Sequence, residues 1–152
     1  MLPTTVTTTS ASGLQLRLGR PTGAAVGVGL AMLMITPLLF LSKLAGLQFL
    51  AVQLGFIGAV YFGFAIADGT VRALFVEVPV AGAFLMVAAV ALWADSPLVL
   101  AVGYAAHGVW DLVHHPRAVT TPVRAWYPPF CVAFDVVLAV FILMWLPMGG
   151  TA

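Results

Sequence analysis

The sequence predicts an all-α protein, an integral membrane bundle of five transmembrane helices. Three observations carry this. Of 152 residues, 62% are hydrophobic and 7% charged, with a mean hydropathy of +1.12; soluble domains carry about 25% charged residues. The apolar residues fall into five runs, each of about the 20 residues needed to cross a bilayer. The breaks between runs are mostly short and polar, so consecutive helices are expected as antiparallel neighbours. Six Lys+Arg and five Asp+Glu cannot cover a globule of this size for water, so the bilayer is the solvent for most of the chain.

Residues 1–21 are rich in Thr and Ser without periodicity and read as a disordered or interfacial tail. A single transmembrane domain, 22–152, follows. Its first helix, 22–41, comes after Arg17 and Arg20 and reads as an uncleaved signal anchor. The second, 48–67, lies beyond Ser42-Lys43 and carries Gly55, Ala59, Gly63 and Ala67 at intervals of four. Such a stripe permits close helix approach, although Gly and Ala are abundant throughout. The third, 73–93, follows Asp68-Gly69-Thr70, where Gly69 suits the turn. Pro37 and Pro79 interrupt the first and third helices, and Pro79 frees the carbonyl of Phe75. The fourth, 97–115, follows Ala94-Asp95-Ser96-Pro97. The fifth, 129–147, follows a longer loop from Pro116 to Pro128.

Orientation follows from the basic residues. With a cytoplasmic N-terminus, Arg17, Arg20, Arg72, Arg117 and Arg124 lie inside and Lys43 alone lies outside. The expected location is the bacterial inner membrane, with the C-terminus external.

The fourth helix carries the chemistry. Tyr104, His107, Asp111, His114 and His115 share one side, within roughly a 100° arc at about 100° per residue. They include all three histidines of the chain. Ionisable groups inside a bilayer are expensive and mark functional sites. Glu77, about one turn into the third helix, and Asp135, about two turns into the fifth, lie toward the same leaflet. A helix tolerates such carboxylates most readily when they point at partners, so both are expected to approach the histidine face. His107, Asp111, His114, His115, Glu77 and Asp135 are the candidate metal ligands, and Tyr104, Glu77 and Asp135 the candidate catalytic groups.

Imidazole nitrogens with carboxylate oxygens suit Fe, Mn or Zn, with Fe favoured. A divalent ion would also keep buried carboxylates ionised that would otherwise protonate. The rival reading is a set of structural ties: Asp111 to a neighbouring histidine, Asp135 to Arg117 or Arg124, and His115 at a helix end. Haem is disfavoured, because all the histidines lie on one helix. The single Cys131 excludes an internal disulfide and a cysteine-type zinc site. A net charge of +1 gives no footprint for nucleic acid. No nucleophile elbow, phosphate loop or dinucleotide fingerprint is present. The loop after His115 carries Arg117, Arg124, Trp126 and Tyr127, which suit either an interfacial belt or a lid that steers an anionic head group.

The run His-Gly-Val-Trp-Asp-Leu-Val-His-His-Pro, His107 to Pro116, resembles the histidine boxes of membrane-bound di-iron hydroxylases and desaturases. In that family, clusters of His-x-x-His-His near the cytoplasmic interface bind two metals that activate oxygen. The likeness covers about a dozen residues. Those enzymes carry eight or more histidines, so a comparable centre here needs carboxylates in place of imidazoles. The whole chain also resembles small, uncharacterised bacterial multi-pass membrane proteins. The expected function is therefore a metal site in the cytoplasmic leaflet acting on a lipid-soluble small molecule, with oxidation or hydroxylation ahead of metal-assisted hydrolysis. Two alternatives stand beside it. One is a small subunit of a larger membrane complex or homo-oligomer that binds a pigment, quinone or lipid. The other is a proton- or cation-coupled carrier.

Overall fold

The computed structural model describes residues 20–114 and 121–145, with side chains from Thr22. Residues 1–19 of the expected tail, His115 and Arg117 lie outside the described residues, while Arg20 and Pro21 already belong to the first helix. Every regular element among the described residues is a helix: α1 (Arg20–Leu38), α2 (Lys43–Gly58), α3 (Val60–Asp68), α4 (Val71–Trp93), α5 (Pro97–His114) and α6 (Tyr127–Trp145). Segments α2 and α3 continue as one 26-residue rod, Lys43–Asp68, interrupted at Ala59. The six segments thus make five rods, close to the five runs of the sequence.

The boundaries have local causes. α1 stops at Leu38, one residue beyond Pro37, and a turn closes from Phe40 N to Pro37 O at 3.0 Å. α2 starts five residues earlier than the hydropathy predicts. Ser42 caps it, with Oγ accepting from Ala45 N at 3.3 Å, and satisfies one of the free amides of the first turn. Gly69 ends α3 in the left-handed region at φ 72°, a conformation that favours glycine. Thr70 Oγ1 donates to Asp68 at 2.7 Å across the same turn.

The bundle is polar within and apolar without. Phe40, Phe75 and Trp93 are 82%, 78% and 89% exposed, while Glu77, His107, Asp111, His114 and Asp135 are buried. Such an exterior suits hydrocarbon, where apolar side chains facing outward carry no cost. Three helices, Lys43–Asp68, Val71–Trp93 and Tyr127–Trp145, are long and apolar enough to cross a membrane. α1 offers a shorter apolar stretch, Thr22–Leu38. α5 loses apolarity to the histidines and aspartate it carries.

α6 lies between α1 and α5, and α5 packs in turn on α4 and α2. The closest approach is between α1 and α6. A Cβ on Gly23 would collide with Trp126 O, and one on Gly27 with Phe130 O. With Ala31 also buried, the small-residue stripe that packs backbone to backbone is Gly23, Gly27 and Ala31 of α1. The stripe expected on the second helix behaves differently. Gly63 meets nothing within 4 Å, and Gly55 meets only Leu85 Cδ1 at 3.4 Å. The glycines of that rod pressed hard against neighbours lie off the stripe: a Cβ on Gly58 would stand 2.5 Å from Phe84 Cβ and one on Gly46 2.6 Å from Trp145 Cη2. The apolar core fills the half of the bundle away from the polar residues, around Leu47, Leu50, Leu54, Leu100, Leu138 and Ile142.

Candidate functional site

α3, the N-terminal part of α4, the C-terminal half of α5 and the N-terminal half of α6 meet at one end of the bundle. The antiparallel order of the rods dictates this, and it brings Tyr61, Glu77, His107, Asp111, His114 and Asp135 together. At about 1.5 Å rise per residue, Asp135 lies about 12 Å along α6 from its first residue, within an apolar helix long enough to cross a membrane.

The deeper group is centred on His107. Its Nδ1 is 2.7 Å from Asp135 Oδ2 and 3.4 Å from Asp111 Oδ2. Its Nε2 is 3.1 Å from Ile57 O. A carbonyl only accepts, so Nε2 carries a proton and donates to Ile57. Ile57 stands just before the interruption at Ala59, whose backbone N–H turns to Ile57 O and Phe56 O. Nδ1 is then the nitrogen that faces both carboxylates. It meets Asp135 through a proton on one of the two atoms or through a cation between them. Tyr61 Oη donates to Asp111 Oδ1 at 2.7 Å. Among the described residues, Asp111 Oδ2 and Asp135 Oδ1 have no hydrogen-bond partner, although both are buried.

The outer group is centred on His114. Its Nδ1 is 3.0 Å from Trp110 O, so it donates there, and its Nε2 is 3.0 Å from Glu77 Oε1. Thr121 Oγ1 donates to the same Glu77 oxygen at 2.6 Å and ties the segment before α6 to the site. Each histidine thus spends one nitrogen on a backbone carbonyl and turns the other toward carboxylate. Tyr61 joins the two groups, with its ring stacked on His114 at 3.9 Å and its hydroxyl on Asp111.

Both expected carboxylates reach the histidine face, but not the same histidine. Asp135 pairs with His107 and Glu77 with His114. The single centre expected from the sequence is divided. His107, Asp111 and Asp135 offer ligand atoms within 4.8 Å of one another and could hold a metal ion; Glu77 and His114 stand apart from that group. Asp135 pairs with His107 and, among the described residues, not with an arginine; Arg124 is exposed. Tyr104 is not a donor to the carboxylates. Its hydroxyl lies 2.9 Å from Leu50 O and 3.1 Å from Gln53 Oε1, so it ties α5 to α2. Residue spacing does not single out Tyr61, Thr121 or the Ile57 carbonyl. The polarity of Tyr61 within an apolar run is the one available signal for it.

The donor set suits a divalent metal. It offers one imidazole nitrogen held in the correct tautomer by a backbone acceptor, and two carboxylates, one of them oriented by a hydroxyl. Ligands about 2.1 Å from a metal stand roughly 3 Å apart, close to the 2.7 and 3.4 Å measured around Nδ1. The unpartnered oxygens are the atoms that a cation would satisfy.

No curated protein and no solved structure matches the chain. Over residues 22–148, from the start of α1 to beyond α6, it matches the family described as "Family of unknown function (DUF6010)", and the chain belongs to that family.

Proposed function

We propose that the protein spans the bacterial inner membrane with all five rods, N-terminus in the cytoplasm, and binds one divalent metal ion in the cytoplasmic leaflet. His107 Nδ1, Asp111 and Asp135 are the ligands. One observation carries the reading: three buried ligand atoms lie within 4.8 Å, and two of the side chains keep an unpartnered oxygen. Iron is favoured, with manganese and zinc suited to the same nitrogen and oxygen donors. When bound, the metal would supply Lewis-acid or redox chemistry toward a lipid-soluble small molecule. Oxidation or hydroxylation is the favoured class, on the oxygen-rich donor set and the resemblance of His107 to Pro116. Within this scheme Ile57 O holds the His107 tautomer, Tyr61 orients Asp111, and the apolar wall keeps bulk water away.

The test is elemental analysis of the protein purified in detergent without chelator. About one ion per chain should survive washing, and His107→Ala and Asp111→Ala should lose it while still inserting. Wild type without metal, even after reconstitution with Fe(II), Mn(II) and Zn(II), would remove the reading. A second reading, a proton- or cation-coupled carrier, is favoured by the Tyr61 bridge between the two histidine–carboxylate groups. It predicts uptake into proteoliposomes that collapses with the pH gradient.

A further inference from the structure

A cavity of about 180 Å³ opens beside the deeper group, between α1, α2 and α6. His107 and Asp135 share its polar wall with Gln53 and Tyr127, and Leu30, Phe130, Cys131 and Phe134 are among its apolar walls. An apolar protein cavity of about 150 Å³ accommodates benzene, so this volume takes a single ring or the end of a short chain. Larger grooves exist on the lipid-facing surface of α4 and along α1 and α6, but none of them is lined by the site's polar residues.

The chemistry of the occupant follows from Asp135. Among the described residues, four buried side-chain atoms lack a hydrogen-bond partner, and Asp135 Oδ1 is the one whose side chain lines this cavity. Asp135 Oδ2 is engaged by His107 Nδ1 at 2.7 Å. When that contact is bridged by a proton on nitrogen, by a proton on Oδ2 or by a cation held through Oδ2, Oδ1 keeps lone pairs and accepts. Leaving such an acceptor buried is costly. We infer that the cavity binds a small lipid-soluble molecule, one ring or about six to eight carbons in size, that carries a hydroxyl or amine donating to Asp135. This names the substrate class of the metal centre and rests on that reading for turnover only; binding depends on the cavity and Asp135.

The test uses 4-fluorophenol as probe and 4-fluorotoluene as its donorless match, observed by fluorine NMR on the full-length protein in nanodiscs. Metal content is measured on the same samples, and each titration is repeated on chelator-treated protein. 4-Fluorophenol should give a saturable bound signal that is lost in Cys131→Trp, which fills the cavity. Leu30→Trp fills the same space from a position that is 37% exposed, so it keeps the test valid if Cys131→Trp fails to fold. Asp135→Asn should weaken 4-fluorophenol by about tenfold, the loss expected for one hydrogen bond to a charged acceptor, and leave 4-fluorotoluene unchanged. Equal binding to wild type and the filled variants would mean partition into lipid alone and would overturn the inference. So would binding of 4-fluorotoluene as tightly as 4-fluorophenol. Saturable binding by metal-free protein would sustain the inference even if the metal reading failed. A metal-loaded protein that binds neither probe would remove the inference and leave the metal reading standing.

Discussion

Removing the Tyr61 hydroxyl isolates the role of Asp111. In Tyr61→Phe the ring keeps its stack on His114, at 3.9 Å between centroids, while the 2.7 Å donor to Asp111 Oδ1 disappears. Asp111 is fully buried and its Oδ2 has no hydrogen-bond partner among the described residues. Without the hydroxyl, its remaining polar neighbours are His107 Nδ1 at 3.4 Å and the Asp135 carboxylate. A metal requires the ionised carboxylate, and the hydroxyl stabilises that form. A hydrogen bond to a charged group contributes about 1.5–3 kcal/mol, which converts to roughly 10- to 150-fold in affinity. Loss of a group that orients a ligand typically costs about 10- to 100-fold, the same range.

The assay is titration of chelator-treated protein with Co(II), whose visible absorption reports binding at a nitrogen and oxygen site. The control is Tyr104→Phe, which also removes a buried hydroxyl from the bundle. That hydroxyl serves Leu50 O and Gln53, so the control should cost about 0.5–1.5 kcal/mol of stability and leave Co(II) affinity unchanged. If Tyr61→Phe binds Co(II) as wild type does, Asp111 is not a ligand. If both variants lose affinity equally, the loss reports general softening of the bundle, and the argument from the 2.7 Å contact fails.

Four further outcomes are expected. His107→Ala and Asp111→Ala should abolish stoichiometric metal in elemental analysis, whereas His115→Ala should retain it; a greater loss from His115→Ala would show the centre to be misplaced. Glu77→Gln should also retain the metal, because Glu77 stands outside the three-ligand group, and a metal-free Glu77→Gln protein would restore the single-centre reading. Alkaline phosphatase fused to the C-terminus should be active in cells, and an inactive fusion beside an active cytoplasmic reporter would invert the topology. Gly27→Leu should lower the thermal midpoint in detergent by an amount reflecting about 1–3 kcal/mol of overpacking against Phe130, while Gly29→Leu, with nothing within 4 Å, should not; equal midpoints would refute the backbone contact of α1 with α6.

The helices and the meeting of the carboxylates with the histidines are legible in the sequence for a physical reason. Hydrocarbon leaves little choice about which runs are helical, and a buried charge needs a partner, so Glu77 and Asp135 have to face inward. The division into two groups is not legible, because spacing along α5 places His107 and His114 on one face without saying which neighbour each meets. Tyr104 satisfies the same spacing, yet its long side chain crosses to α2 and ends on Leu50 O. Tyr61 carries the link instead, from a rod whose sequence marks it only as one aromatic among apolar residues. The Ile57 acceptor is out of reach of any pattern, since it is a backbone oxygen and residue spacing marks only side chains. The small-residue stripe cannot be assigned from sequence because Gly and Ala recur at four-residue intervals in both rods, and only the packing of α6 on α1 distinguishes them.

The two histidine groups are alike in construction but not in charge, and the difference decides which one calls for a metal. The outer group sets one carboxylate against one imidazole. A single proton shared by Glu77 and His114 leaves it neutral, and Thr121 adds a donor to the carboxylate. Glu77 Oε2 also lacks a hydrogen-bond partner among the described residues, so the two groups differ in net charge and not in having an unpartnered oxygen. The deeper group sets two carboxylates against one imidazole whose Nε2 is committed to Ile57. One proton on Nδ1 leaves it with a net negative charge, about 12 Å along α6 by helix rise. Neutrality there takes a second proton or a divalent cation. The second proton would lie between Asp111 and Asp135, one carboxyl donating to the other carboxylate, and both residues would then be committed to it. A divalent cation meets Nδ1 and both carboxylates at once, replaces the protons, and leaves neither charge nor donor unmatched. The same protein therefore contains its own control: Glu77 and His114 show what a histidine–carboxylate pair looks like when a proton suffices, and His107, Asp111 and Asp135 depart from it by one carboxylate.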